Sequence, residues 1–287
     1  MPGLILAVVG LPLYVYIPKF YTDVVGVSAT ALGVLILVAR LIDAVSDPLV
    51  GVLSDRTRTR FGRRRPYIAL GSFLLAGLLA ALYIPPQGSQ TMLTLWFGTG
   101  LILLSLAWTL VDVPWESLGP EITFTYDERT SLFSFREGMV IAGTILAAAS
   151  PLLIEQTLSL SQSDLDQRRK FAVFALIYVP IIVGSCWLCV WRVKERVAPV
   201  TSKSQSDKER LGKASMELHS WKQTLSNRPF IILLAAYAVA AIGANLPATL
   251  IVYYVEYVLG GTKAEIFILL YVLSGILCLP FWLWVSR

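Results

Sequence analysis

Long apolar segments recur along this chain, and they constrain its fold more than any other feature. A helix that crosses the hydrocarbon core of a bilayer needs about 20 mainly apolar residues. Because lipid offers the backbone no hydrogen-bond partners, such segments predict an all-α integral membrane protein. We predict eight spans, at Pro2–Tyr21, Ser28–Asp55, Pro66–Ile84, Thr91–Leu118, Ser131–Ile154, Phe171–Val193, Pro229–Leu259 and Ala264–Ser286.

The composition supports a membrane protein and argues against a nucleic-acid partner. Of the 287 residues 56% are hydrophobic and 15% are charged, and the mean hydropathy is +0.67. Soluble domains contain about 25% charged residues. The basic residues behind the net charge of +5 concentrate in connecting loops, where membrane topology explains them. The lipid bilayer is therefore an expected partner, and we expect a monomer.

The cysteines give no indication of a cofactor. Cys186, Cys189 and Cys278 all lie in apolar runs. A zinc or redox CxxC motif needs polar, accessible surroundings, so we interpret Cys186 and Cys189 as packing residues. No cofactor is expected.

Lysines and arginines in the loops predict the orientation. They concentrate between the second and third spans, at Arg129 and in the polar segment from Lys194 to Arg228, whereas Arg168, Arg169 and Lys170 stand before the sixth span. Loops rich in lysine and arginine stay in the cytoplasm. We therefore predict a multi-pass protein of the plasma (bacterial inner) membrane with a cytoplasmic N-terminus.

Three charged residues lie inside the predicted second span. At about 3.6 residues per turn, Asp43 and Asp47 share one helix face, and Arg40 is roughly 60° round from Asp43. A charge near the bilayer centre costs about 2.5 to 3.5 kcal/mol on insertion scales. Three on one segment therefore require partners or a function, usually in an ion or substrate path.

The fourth span carries a second polar cluster. Thr109, Asp112 and Glu116 are three and four residues apart, so a hydroxyl and two carboxyls share a face. If this face meets Asp43 and Asp47, three aspartates oppose the single Arg40. That imbalance favours a bound monovalent cation or a protonated carboxyl, although a purely structural polar network is the alternative.

The arginine-rich loop after the second span has two interpretations. Its basic residues are sufficient to explain the topology by themselves. Alternatively they form a cytoplasmic gate, in which Asp55 at the helix end pairs with arginines in one conformation and releases them in another. The predicted gate residues are Asp55, Arg56, Arg63, Arg64 and Arg65.

Several stretches together resemble the glycoside-pentoside-hexuronide:cation symporter family (melibiose permease-like) of the major facilitator superfamily. They are Tyr21–Gly26, Ala39–Pro48 with Gly51, Thr109–Pro114 and Asp127–Arg129. Their order and spacing match across the first six spans. The resemblance implies a monovalent-cation (sodium or proton) site at Asp43, Asp47, Thr109 and Asp112, and a sugar-facing Arg136. Arg40, from its place beside the acids, is the expected charge partner.

The aromatic residues near this cluster leave the solute open. Trp108 and Trp115 can stack on a sugar ring, line an apolar cavity or pack against helices. Together with Glu116 and Arg136 they are the residues predicted to bind the substrate. The family resemblance implies an acid that holds sugar hydroxyls at position 7, where this chain has Ala7. A galactoside is therefore in doubt, and lysophospholipid or other amphiphile symport stays an alternative.

The layout is that of a major facilitator half followed by the start of a second half. The predicted domains are a six-helix bundle at 1–193, a cytoplasmic linker at 194–228 and a partial C-terminal bundle, with its first two helices, at 229–287. We expect the chain to be truncated after eight of twelve spans, so a non-transporting remnant is a further alternative.

Enzyme functions are not supported by the sequence. The Gly51-x-x-x-Asp55 step superficially resembles membrane phosphotransferases, but these would need an aspartate where Thr59 stands. The GxGD motif of intramembrane aspartyl proteases does not occur. The expected function is cation-coupled symport of a sugar, glycoside or similar organic solute by alternating access.

Overall fold

Helices make up nearly all of the described structure. The computed structural model describes residues 2–57, 59–122, 125–158, 163–193, 227–260, 266–271, 273–274 and 277–278. Within them the only strand-like pairing is an isolated bridge between Thr59 and Gly62. Most of the predicted linker and most of the predicted eighth span lie outside the described residues, as does Arg58. The predicted domain boundaries there stay predictions.

Six helices in the described residues are long and apolar enough to cross a membrane. They confirm the all-α membrane fold and six of the predicted spans. Their bounds are α1 Pro2–Val25, α2 Ala29–Arg56, α3 Arg65–Tyr83, α4 Gln90–Ile122, α5 Tyr126–Leu158 and α6 Asp164–Arg192.

Helix α1 is the most deeply buried of the six and the least regular. Two π-helical turns, Pro12–Tyr16 and Tyr21–Val25, interrupt its α-helical hydrogen bonding. Pro12 and Pro18 lack the N–H groups that a regular helix uses. The helix ends at Gly26, whose φ of 88° is left-handed and favours glycine.

The helices pack in a fixed set of pairs. Helix α3 contacts α4 and α6, α1 contacts α5 and α6, and α2 packs on α4. Aromatic rings join three helices at one end of the bundle, where Phe171 of α6 lies 4.2 Å from Phe20 and 5.6 Å from Tyr83 between ring centroids. The Tyr21 hydroxyl donates to the Leu82 carbonyl oxygen at 2.9 Å. These contacts fix α1 between α3 and α6.

The sixth helix begins earlier than predicted, so Arg168, Arg169 and Lys170 are helical and not in a loop. The sequence analysis placed its start at Phe171, but the helix begins at Asp164, because the Ser163 hydroxyl caps it by accepting the Asp166 N–H at 3.3 Å. The Lys170 ammonium is then buried and pairs with the Glu155 carboxylate of α5 at 2.6 Å.

The chain divides into two compact units, Met1–Arg196 with Val252–Arg287, and Val197–Ile251. The second unit is described from residue 227 and contains most of helix α7, Arg228–Tyr253. In the first unit, the π-helical segment Tyr254–Val258 that follows α7 contacts the end of α1. Glu256 forms an ion pair with Lys19, and the Tyr257 hydroxyl donates to Asp23 Oδ1 at 3.3 Å.

Candidate functional site

Two acids of α2 are held by two hydroxyls of α4. The Ser105 hydroxyl donates to Asp43 Oδ1, and the Thr109 hydroxyl donates to Asp47 Oδ1 at 2.8 Å. Both contacts join residues 62 positions apart. We call these four residues the acid–hydroxyl ladder.

The ladder follows from helix geometry. Residues four apart lie one above the other on a helix face, so two acids and two hydroxyls at that spacing meet when α2 and α4 run parallel. Gly51, one further turn along α2, keeps the same register, because a Cβ there would lie 3.7 Å from a methyl carbon of Val113. A Cβ at this distance would make an ordinary van der Waals contact, so Gly51 and Val113 lie opposite each other without a clash.

Arg40 is the cationic neighbour of the ladder. Its NH1 atom lies 3.7 Å from Asp43 Oδ2, and its guanidinium carbon lies 4.0 Å from the Tyr14 ring centroid. Cation–π contact holds the side chain over Tyr14 of α1. Within the described ranges no basic side chain forms an ion pair with Asp47 or Asp112.

A cavity of about 370 Å³ opens between α1, α4 and α5. Its volume lies in the range of about 300–1,000 Å³ that is usual for small-molecule sites. All four residues predicted to bind solute line it, together with Asp112 and Ala7. The full lining is Gly3, Leu6, Ala7, Gly10, Leu11, Trp108, Asp112, Trp115, Glu116, Arg136, Glu137, Val140 and Thr144.

The Arg136 guanidinium is engaged from several sides. Its NH2 donates to Glu116 Oε1 at 2.7 Å, and its Nε lies 3.5 Å from Glu137 Oε1. The guanidinium carbon of Arg136 lies 4.8 Å from the Trp115 ring centroid and 5.4 Å from the Phe133 ring centroid. Arg136 is therefore a fixed part of the cavity wall, where carboxylates and aromatic rings orient it.

The predicted cation ligands are divided between the ladder and the cavity. Thr109 is buried against Asp47, whereas Asp112, almost one turn further along α4, faces the cavity. In the part of the chain that the structure describes, no three histidine, cysteine or acidic side chains converge as metal ligands. The assignment of Asp43, Asp47 and Asp112 to one metal cluster stays a prediction.

The predicted gate residues lie at the ends of α2 and α3. The buried Arg64 guanidinium donates to Asp55 Oδ1 at 2.7 Å, and Arg65 donates to the Val190 carbonyl oxygen of α6. These two contacts tie the end of α2 and the start of α3 to each other and to α6. Arg56 ends α2, and Arg63 stands in the loop before α3.

Sequence reasoning missed Ser105, Tyr14 and Glu137. Ser105 precedes Thr109 by four residues, which is the spacing of Asp43 and Asp47, so a search for matched spacings on two helices finds it. Nothing in the sequence singles out Tyr14, because its stacking on Arg40 depends on how α1 meets α2. Glu137 lies inside the predicted fifth span, but the sequence does not show that it lines a cavity with Arg136.

These observations define a multi-pass helical membrane protein with a polar, carboxylate-lined cavity inside its helix bundle. The chain matches the family described as MFS/sugar transport protein over residues 1–287. The chain belongs to this family. The match confirms the major facilitator fold, and because this is a transporter family it also confirms that the chain is not an enzyme.

Curated relatives agree with the resemblance to glycoside-pentoside-hexuronide symporters. The chain is 32% identical to the inner membrane symporter YicJ of Escherichia coli, with 67% of this chain and 41% of the relative covered. It is 32% identical to the putative glycoside/cation symporter YagG of the same organism, covering 69% and 43%. It is 27% identical to the isoprimeverose transporter of Lactiplantibacillus pentosus, covering 95% and 54%. The chain thus spans about half the length of these relatives.

Proposed function

We propose that the protein is a cation-coupled secondary symporter of a sugar, glycoside or similar organic solute. The observation that carries the proposal is the position of α4, which presents Thr109 to the acid–hydroxyl ladder and Asp112 to the cavity. One helix thus touches both the pair of acids on α2 and a space for solute. Movement of α4 would change both sites together.

Unbalanced charge supports a coupling ion. Arg40 lies near Asp43, which leaves Asp47 and Asp112 without an ion pair among the residues described. Carboxylates held in a membrane protein without a cationic partner bind a cation or a proton. Asp43, Asp47, Thr109 and Asp112 would supply oxygen ligands, which suit sodium. The printed description of YagG as a glycoside/cation symporter is consistent with this assignment.

The cavity lining supports a polyhydroxylated solute. Arg136, Glu116 and Asp112 offer donors and acceptors, and Trp108 and Trp115 offer ring faces for stacking on a sugar. An amphiphile such as a lysophospholipid stays the second candidate, because apolar residues also line part of the wall. The four charged side chains on the wall favour the sugar.

The wider setting follows the family. We propose a monomer in the plasma or bacterial inner membrane, with a cytoplasmic N-terminus, working by alternating access. The Asp55–Arg64 pair and the Arg65 contact with α6 lie at the end that the basic loops place in the cytoplasm. They would act as a gate that is broken when this end opens.

Solute uptake tests the proposal. Uptake of labelled isoprimeverose or methyl glycosides is measured in cells that express the chain. The rate under an inward sodium gradient is compared with the rate under a potassium gradient of the same size. We expect sodium-stimulated uptake in the wild type, its loss in Asp112→Asn, and no change in Asp164→Asn, which removes an exposed carboxylate outside the cavity. Equal uptake by Asp112→Asn and wild type would contradict the role of Asp112.

A further inference from the structure

The charges around the cavity point to the kind of solute that it rejects. Arg136 is the only basic residue on the described lining, and three carboxylates share that lining, those of Asp112, Glu116 and Glu137. Asp112 is also part of the proposed cation site. Even with a cation bound there, the two glutamates outnumber Arg136.

The guanidinium of Arg136 already contacts two carboxylates. Glu116 accepts a hydrogen bond from Arg136 NH2 at 2.7 Å, and Glu137 approaches Arg136 Nε within 3.5 Å. The Trp115 ring lies against the guanidinium at 4.8 Å. An anionic solute that bound the remaining guanidinium N–H groups would lie beside both carboxylates, and a contact with the atoms that Glu116 and Glu137 approach would displace them.

An anion in this cavity therefore lacks compensation. Removing an anion from water is unfavourable unless a cation or several donors replace the water. Like charges at close range also repel each other. A neutral polyol needs no such compensation, since its hydroxyl groups donate to the glutamates and accept from the remaining guanidinium N–H groups.

We propose that Glu116 and Glu137 are specificity-determining residues that make the cavity reject acidic sugars and accept neutral glycosides. This inference rests on the proposed function, because it concerns the same cavity and the same class of solute. The two glutamates act by neutralising Arg136 and by repelling a carboxylate on the solute. Discrimination by an unfavourable contact with the wrong solute is a common route to specificity.

The test compares matched neutral and acidic sugars on the purified chain in detergent with saturating sodium. Methyl β-glucoside is paired with methyl β-glucuronide and methyl α-galactoside with methyl α-galacturonide, and binding is measured as thermal stabilisation. We expect the wild type to bind the neutral member of a pair at least about tenfold more tightly than the acidic member. A tenfold difference in affinity is what the loss of one interaction of ordinary strength produces.

Variants assign the preference to the two glutamates. In Glu116→Gln/Glu137→Gln the preference should fall by about tenfold, because Arg136 becomes available to the uronate carboxylate. Adding Arg136→Gln should remove the uronate binding so gained. Asp164→Asn, which removes an exposed charge elsewhere, should keep the wild-type preference.

The outcomes separate this inference from the proposed function. Wild-type binding of a uronate as tight as that of its neutral partner overturns the inference and leaves sugar transport in place. A preference unchanged in the double glutamine variant overturns the assignment to Glu116 and Glu137. No stabilisation by any sugar of either kind overturns the proposed sugar solute itself.

Discussion

Thr109 of α4 donates a hydrogen bond to Asp47 of α2 at 2.8 Å, and Ser105 repeats the contact with Asp43 one turn earlier. The same separation of 62 residues in both contacts means that the two helices run parallel in a single register. The packing of the two helices and the two hydrogen bonds therefore both fix the orientation of Asp43 and Asp47. A cation bound there would find its ligands already oriented.

Removing the Thr109 hydroxyl should weaken cation binding. Thr109→Val keeps the shape but takes away a donor to a charged carboxylate, and such a bond contributes about 1.5–3 kcal/mol. We expect sodium affinity, measured by sodium-dependent thermal stabilisation, to fall by tenfold or more on this basis, since 1.4 kcal/mol is about tenfold. Thr109→Ser should retain most of the affinity.

The matched control for this prediction is Thr94→Val on the same helix. The Thr94 hydroxyl donates to the Gln90 carbonyl oxygen at 2.8 Å, and Thr94 lies outside the ladder. An equal loss of sodium affinity in Thr94→Val and Thr109→Val would show that the effect is on α4 in general.

Neutralising Arg64 should change the transport rate more than cation affinity. Its guanidinium is buried and donates to Asp55 at 2.7 Å, so Arg64→Gln breaks the contact that ties α2 to the start of α3. If this end is a gate, the balance between conformations shifts while the ladder stays intact. Neutralising Arg63, Arg64 and Arg65 together should have the same effect, more strongly.

The control is Arg60→Gln, which removes an exposed arginine from the same loop. Initial uptake rate and sodium-dependent stabilisation are measured on each variant. A parallel loss of rate and sodium affinity in Arg64→Gln would count against a gate. The same loss of rate in Arg60→Gln would indicate a general effect of loop charge.

A side chain at position 143 should separate α1 from α5. A Cβ on Gly143 would overlap the Leu4 carbonyl oxygen and lie 3.0 Å from the Ala7 Cβ beside the cavity. Overpacking of this kind costs about 1–3 kcal/mol, so we expect Gly143→Ala to lower the thermal midpoint. Gly138→Ala, whose Cβ would meet no atom within 4 Å, should leave the midpoint unchanged or raise it.

The buried Lys170–Glu155 pair offers a test of packing between α5 and α6. Lys170→Met leaves the Glu155 carboxylate buried without its partner at 2.6 Å. Breaking a buried pair on one side costs about 3–5 kcal/mol, whereas removing both charges costs much less. The double variant Lys170→Met/Glu155→Gln should therefore be more stable in thermal unfolding than Lys170→Met alone.

A matched surface pair completes this comparison. Arg169 lies 3.6 Å from Asp166 on the same helix, and its side chain is 72% exposed. Exposed pairs contribute little, so Arg169→Gln should barely change the thermal midpoint. A double variant no more stable than Lys170→Met would show that the ion pair is not what stabilises this contact.

The membrane fold was predictable because long apolar segments have few alternatives in a bilayer. The spacing of Asp43 and Asp47 also predicted that they share a face, and the ladder agrees with that. The predicted start of α6 at Phe171 is wrong because charged residues up to Lys170 resemble a loop, whereas the helix begins at Asp164. A buried partner such as Glu155 cannot be recognised before the helix pairing is known.

The sequence indicated polar residues on α2 and α4, but not that Thr109 and Asp112 would face different neighbours; their roles as ligands stay predictions. Thr109 and Asp112 were expected to act together, and they lie on neighbouring parts of one helix surface that face α2 and the cavity, respectively. Which neighbour covers each part depends on contacts between helices distant in sequence. For the same reason the pairing of Arg136 on α5 with Glu116 on α4 came only from the structure.

The measurement that tests the central claim most directly is thermal stability of the purified chain in sodium against potassium, at matched ionic strength, for wild type and Asp47→Asn. A ligand that binds only the folded state must stabilise it. Coupled cation binding at Asp47 predicts a sodium-specific rise in the wild type that Asp47→Asn loses while remaining inserted and folded. A sodium-specific rise of the same size in Asp47→Asn would contradict it.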